Sequence, residues 1–448
     1  MPSADRAIVV GGGLAGLLAA RVLVDHFGEV LLVERDRFPE QPEFRPGVPQ
    51  SRHLHVLLAR GAQVLEQLLP GVLAEVSAAG GVSFRWPRDV LWLGAAGWGM
   101  RFEQGLSLLS CRRELLEWRV RQRVLDSPRL RVLEGREVTG LCASHDGMAV
   151  TGVRVRARPS GASQDLGGAL VVDASGRDSR APAWLQALGY SAPRQTVVNA
   201  RLSYASRQYA PPAGWRADWQ ALLLQSKAPS AMRAGALFPI DGGRWLVTLA
   251  GRGADHPPTD ESGFLAFART LRSPILYAAI TSARALTPAA AYRRTENQLR
   301  HYAGLRRWPE GLVVLGDAVC AFNPIYGQGM TVAAESALVL ETWLRRPSHA
   351  HHFQRQLHKL IETPWLLATG EDFRYPTTLG PRPSPITRLL HRYFDRLLAV
   401  ATVDQVVATT FLHVIHLLAP PGALFQPRIV VRALRGPGRP LLSTPPTM

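Results

Sequence analysis

Ala7-Ile8-Val9-Val10-Gly11-Gly12-Gly13-Leu14-Ala15-Gly16-Leu17-Leu18-Ala19-Ala20 is the stretch whose reading decides the fold. Four apolar residues form a short buried strand, the glycines fit GxGxxG at Gly11, Gly13 and Gly16, and the apolar spacing over 14–26 is helical. Each glycine has a physical duty in such a loop. Gly11 permits the tight turn, Gly13 lets backbone approach a pyrophosphate, and Gly16 allows close helix–strand packing. Leu14 and Ala15 open the helix, whose positive end faces the phosphates. A second strand is expected over 30–34, and Glu34 ends it 18 residues after Gly16, placed to accept ribose hydroxyls. The chain therefore opens as a dinucleotide-binding βαβ unit.

Outward from this unit, helical patterns cover 52–69 and 112–124, and strand patterns cover 130–133, 150–157 and 170–173. From 196 to 250 the character changes to strand-length runs, at 199–204, 235–240 and 245–249. The last two flank the turn signal Asp241-Gly242-Gly243. An apolar strand at 312–315 and a long helix from about 327 to 345 return to the α/β pattern. Beyond 346 the chain reads as helices with proline breaks, and the tail after Gly436 is proline-rich. The expected fold class is α/β: a Rossmann-like domain with an inserted, mostly antiparallel β-sheet domain and a helical C-terminal region.

Composition excludes several classes. The 448 residues suit roughly two to three structural units, and 46% hydrophobic against 19% charged residues argues for a large core and against disorder. The net charge of +17 raises nucleic acid as a partner. Lys227 and Lys359 are the only lysines, however, leaving 50 of the 52 basic residues as arginine, scattered singly or in pairs. That dispersion reads as compositional bias, and no nucleic-acid partner is expected. Three distant cysteines, Cys111, Cys142 and Cys320, fit neither a disulfide framework nor a metal site. The stretch 406–425 is apolar but broken by His413, His416 and Pro420-Pro421, so it is expected to be buried and not transmembrane. Arg428, Arg432, Arg435 and Arg439 follow it and leave peripheral membrane contact open. The start, Met1 to Asp5, lacks a basic leader, so a cytoplasmic protein is expected.

A second glycine-rich signature stands at Gly316-Asp317-Ala318, followed by Asn323-Pro324-Ile325-Tyr326-Gly327-Gln328-Gly329-Met330 opening a helix. With it the chain resembles the FAD-dependent monooxygenases of the aromatic-hydroxylase fold. The resemblance implies that Gly316 and Asp317 meet FAD hydroxyls. It also implies that Pro324, Gly327, Gln328, Gly329 and Met330 set a helix N-terminus against the flavin, favouring negative charge there. Cys111-Arg112-Arg113-Glu114-Leu115-Leu116-Glu117-Trp118 is similar to the family's arginine-bearing helix, which carries Arg113 over as a pyrophosphate ligand.

Arg45-Pro46-Gly47-Val48-Pro49-Gln50, Arg52-His53-Leu54-His55 and Phe238-Pro239-Ile240-Asp241 look most like bacterial epoxidases of polyether-pathway polyenes. Squalene epoxidase is more remotely similar, through Glu34-Arg35-Asp36, which adds Arg35 to the cofactor residues. Under this resemblance 1–80, 111–190 and 301–345 are parts of the FAD-binding domain, 81–110 and 191–300 belong to the substrate domain, and 346–448 is the C-terminal helical region.

One departure matters. Where the aromatic hydroxylases carry an Asp-Gly motif, this chain has Asp173-Ala174-Ser175-Gly176, which puts direct reduction by NAD(P)H in doubt and favours a separate flavin reductase as partner. Asp173 is equally a strand cap. Flavin halogenases share the fold but need a lysine in their N-terminal half, and none precedes Lys227. The resemblance implies reaction of reduced FAD with O2 to a C4a-hydroperoxide that epoxidises an alkene of a hydrophobic polyketide or isoprenoid-type precursor in specialised metabolism, including antibiotic biosynthesis. Aromatic hydroxylation, alkene reduction or dehydrogenation, and cyclisation around a structural FAD are the alternatives. No catalytic side-chain triad and no metal are expected. Trp92, Tyr204, Phe238 and Tyr326 are the substrate-lining candidates, with Trp86 and Trp98 beside them. His53 and His55 are expected to be structural or flavin-contacting.

Overall fold

In a computed structural model of the chain, residues 5–158, 160–381 and 385–447 are described. Residues 1–4, most of the segment read above as a leaderless start, lie outside them. The apolar run at 7–10 forms the strand Arg6–Val10, the centre of a five-stranded parallel sheet. Its order is Leu312–Val314, Leu170–Asp173, Arg6–Val10, Glu29–Val33, Leu130–Leu133. Parallel strands covered on both faces are apolar throughout, and the residues of 7–10, 30–33, 170–173 and 312–314 are buried. The Leu14–Leu23 helix packs against the Gln328–Arg345 helix, so the two glycine-rich signatures, some 300 residues apart, come together.

A second sheet has eight strands. Its centre is the antiparallel run Leu202–Ala210, Arg244–Arg252, Ala234–Ile240, Ala221–Leu224, and Val90–Gly94 joins Ala221–Leu224 in parallel. The hairpin expected across Asp241-Gly242-Gly243 is present, with Gly242 and Gly243 at φ +75° and +65°. The Ala350–Asp372 helix packs on the Gln328–Arg345 helix and on the Leu312–Val314 strand of the first sheet, and the Pro385–Ala401 and Gln405–Ile415 helices pack on each other. Among the described residues no helix is long and apolar enough to cross a membrane.

Two expectations are corrected. The helix expected over 52–69 spans only Ala59–Leu68, because 53–58 is held extended by the sheet: His53 Nδ1 bonds Ser206 Oγ at 2.7 Å and the Leu54 N–H donates to Thr248 Oγ1 at 3.3 Å. Of the strand expected over 199–204 only 202–204 is strand, the start of Leu202–Ala210, while the preceding Gln195–Val198 strand belongs to another sheet. At the break Arg201 takes φ +49° and its N–H donates to Asn199 Oδ1 at 2.7 Å, a local side-chain turn that competes with strand pairing.

Candidate functional site

Val10, Val33 and Ala174, at the carboxyl ends of three parallel strands, border a cleft of about 420 Å³. Gly11, Gly13, Leu14 and Ala15 form one wall. Gly11 has φ +96°, and a Cβ there would sit 2.7 Å from the Ala174 carbonyl oxygen, so only glycine fits the turn. Gly16 is not on the wall. A Cβ on it would approach the Gly11 carbonyl oxygen to 1.8 Å, so its role is helix–loop packing. Glu34 is buried on the cleft, its Oε2 accepting the Gly12 N–H at 2.6 Å and its Oε1 the Asp36 N–H at 2.9 Å. Arg35 is exposed at the rim.

Across the cleft stand Asp317, Pro324, Gly327, Gly329 and Met330. Gly316 lies behind them at φ +62°, where a Cβ would meet that of Ala15 at 2.7 Å. The Asp317 carboxylate has no hydrogen-bond partner among the described residues; burial raises its pKa, opposed by Arg177, Arg113 and Arg300. Arg113 is buried, with Nη2 donating to Glu117 Oε2 at 3.0 Å while Nη1 has no partner among the described residues. Arg45 and Glu117 have no role that the motifs alone assign. Arg45 donates to Glu117 Oε1 at 2.9 Å and to the Gly12 carbonyl at 3.1 Å, and lies 3.4 Å from Glu34, so it braces the glycine loop against the Arg113 helix. The Arg45-Pro46-Gly47 turn is the local signal for it.

A larger cavity, of about 900 Å³, opens from the cleft, and Gln50, His55, Val56, Tyr292, Pro324 and Gly327 line both. Trp92, Tyr204, Phe238 and Tyr326 all border it, with Trp86. Gln328, expected at the cofactor, faces this cavity because it follows Gly327 on the helix side of the junction. Trp98 is buried in a core cluster away from the cavity. Trp92 stacks on Phe411 at 6.0 Å and 11°, which seats the Gln405–Ile415 helix as one wall. His53 and His55 are uncharged near neutrality: burial, with help from Arg52 and Arg113 respectively, lowers their pKa to about 4 and about 3.

The polar end of the cavity is organised by Asp372, fully buried at the end of the Ala350–Asp372 helix. It accepts from Tyr326 Oη at 2.7 Å, Asn297 Nδ2 at 2.7 Å, Arg252 Nη1 at 3.1 Å and Asn323 Nδ2 at 3.3 Å. Tyr204 Oη donates to Asn323 Oδ1 at 3.1 Å. One carboxylate thus ties the 323–327 turn to the eight-stranded sheet. No sequence motif marked Asp372 or Arg252. Around the Ser175 departure, the Ser175 N–H and Oγ both donate to Asp173 Oδ1, at 2.9 and 2.5 Å, so Asp173 caps its own loop.

Residues 5–349 match the FAD binding domain family. The chain belongs to this FAD binding domain family. Protein Rv3254 of Mycobacterium tuberculosis is 34% identical to this FAD-binding-domain protein over 92% of the chain and 90% of its own length. A kynurenine 3-monooxygenase of Salinispora arenicola is 26% identical over 76% of the chain and 72% of its own length. Among solved structures, the flavin-dependent brominase Bmp2 superposes with a TM-score of 0.67 over 97% of the chain and 98% of its own, at 15% identity, a likeness of fold.

Proposed function

We propose that this FAD-binding-domain protein is a monooxygenase that inserts one oxygen atom into a large, neutral, apolar substrate, and that the reaction is alkene epoxidation. The carrying observation is the junction: a glycine-walled cleft opens, past Pro324 and Gly327, directly into a 900 Å³ aromatic-lined cavity. When bound, FAD supplies oxygen-transfer chemistry from O2 and reducing equivalents that originate in NAD(P)H.

The cleft suits that group. Gly11 and Gly13 would admit the diphosphate to the backbone, the unpartnered Arg113 Nη1 would face its charge, and Glu34 and Asp317 would take hydroxyls. The first turn of the Gln328–Arg345 helix offers free N–H groups at the junction. The remaining residues shape and dry the reaction space. Buried Arg252 is matched by Asp372, and half-buried Arg374 by Glu371 and Asp395, so these cations on the cavity wall are already neutralised. A neutral substrate fits such a wall better than an amino acid does. The carboxylates Glu371 and Asp395 are equally engaged, which favours an alkene, needing orientation and desolvation, over a phenol that must be ionised.

Neither lysine lies on the cleft or at the junction: Lys227 is exposed on the cavity wall and Lys359 lines a separate surface pocket. That supports oxygenation over halogenation. Ser175 turned onto Asp173 supports delivery of electrons by a separate reductase. The test is turnover of a candidate polyene with a flavin reductase under 18O-labelled dioxygen. One labelled oxygen atom per product is expected, and unlabelled product under turnover refutes the reading.

A further inference from the structure

The cavity wall continues to the outer surface. Leu366 and Phe425 both line the cavity, yet they are 69% and 43% exposed. Two residues beyond Phe425 the Pro427–Arg435 helix begins, lying on the Pro385–Ala401 and Gln405–Ile415 helices through buried Ile429 and Ala433. At 100° per residue the opposite side divides in two. Val431 and Leu434, 44% and 60% exposed, form an apolar strip, and Arg428, Arg432 and Arg435 form a basic strip beside it. Arg432 pairs with Asp404, while Arg428 and Arg435 have no ion-pair partner among the described residues. Val431 and Leu434 lie six and nine residues beyond Phe425 of the cavity wall, and a protein partner is not specified by so short a strip. Apolar side chains flanked by arginines are what an anionic bilayer surface receives: the chains enter the headgroup boundary and the guanidinium groups meet phosphate.

We infer that the Pro427–Arg435 helix docks the protein on anionic phospholipid bilayers, with the cavity mouth at Leu366 and Phe425 facing the lipid from which an apolar substrate enters. The substrate half of this statement rests on the proposed function; the docking half does not. The docking test therefore uses the full-length protein without substrate or reductant, by cosedimentation with vesicles of phosphatidylcholine alone and of phosphatidylcholine with phosphatidylglycerol. Binding to the phosphatidylglycerol vesicles, reversed by high salt, is expected. Each of Arg428→Ala and Arg435→Ala should weaken it roughly fivefold, and the exposed pair Val431→Asp with Leu434→Asp should abolish it while leaving the thermal unfolding temperature unchanged. Absence of wild-type binding, or binding indifferent to these substitutions, overturns the inference. So does a concentration-dependent dimer that the Asp pair splits in the absence of vesicle binding, since the strip would then belong to a second copy.

Discussion

Replacing Asp372 by Asn keeps the shape of the side chain and removes its charge. Arg252, whose side chain is 3% exposed, then keeps a buried cation with no counter-charge, and one amide N–H is turned toward groups that are themselves donors, from Tyr326, Asn297 and Asn323. Breaking a buried pair from one side costs about 3–5 kcal/mol. With an unfolding entropy of about 2.1 cal/mol/K per residue, this 448-residue chain has roughly 0.9 kcal/mol/K, so the unfolding midpoint should fall by about 3–5 °C. The assay is differential scanning calorimetry of the FAD-loaded protein beside the double variant Arg252→Met with Asp372→Leu. Removing both charges leaves no uncompensated ion, so the double variant should recover much of the loss. An unchanged midpoint in Asp372→Asn, or a double variant at least as unstable as the single one, would refute the argument.

Asp317→Ala should weaken FAD binding roughly 10- to 100-fold without lowering the stability of the apoprotein, since its carboxylate accepts no hydrogen bond among the described residues and can take hydroxyls worth about 1.5–3 kcal/mol; quenching of flavin fluorescence on titration measures it. His53 and His416 are both buried, and burial lowers each pKa to about 4. Both stay uncharged in the folded protein down to that value, whereas the unfolded chain takes up their protons below about 6.5. Stability is therefore fully present above about pH 6.5 and should fall by about 1.4 kcal/mol per pH unit for each histidine on acidification toward 4. Urea unfolding across that range checks this, and a His416→Asn variant should show a shallower slope.

The nucleotide cleft was legible because its determinants are local. A glycine held at φ +96° by a turn, a strand that must be apolar because both faces are covered, and an acid at a strand end are each a property of a few consecutive residues. A motif gives order along the chain and not the side of a helix, so the expectation that places Gln328 at the cofactor does not say that it lines the larger cavity. Trp98 was grouped with the lining tryptophans because aromatic identity does not separate core from cavity wall. The helix expected over 52–58 failed for a further reason: apolar spacing there is helical, but Ser206 and Thr248 from the distant sheet take the side chain of His53 and the N–H of Leu54.

By itself the sequence determined the parallel sheet, the glycine turns, the hairpin at Asp241-Gly242-Gly243 and the family, all of them set by short-range backbone geometry and apolar periodicity. Only the tertiary structure decided that Arg45 braces the glycine loop and that the cleft opens into an aromatic cavity at Pro324 and Gly327. It likewise decided that Asp372 holds Arg252, Asn297 and Asn323, which are 120, 75 and 49 residues away. A buried charge finds its partners through the packing that excludes water around it, and that packing has no period along the chain.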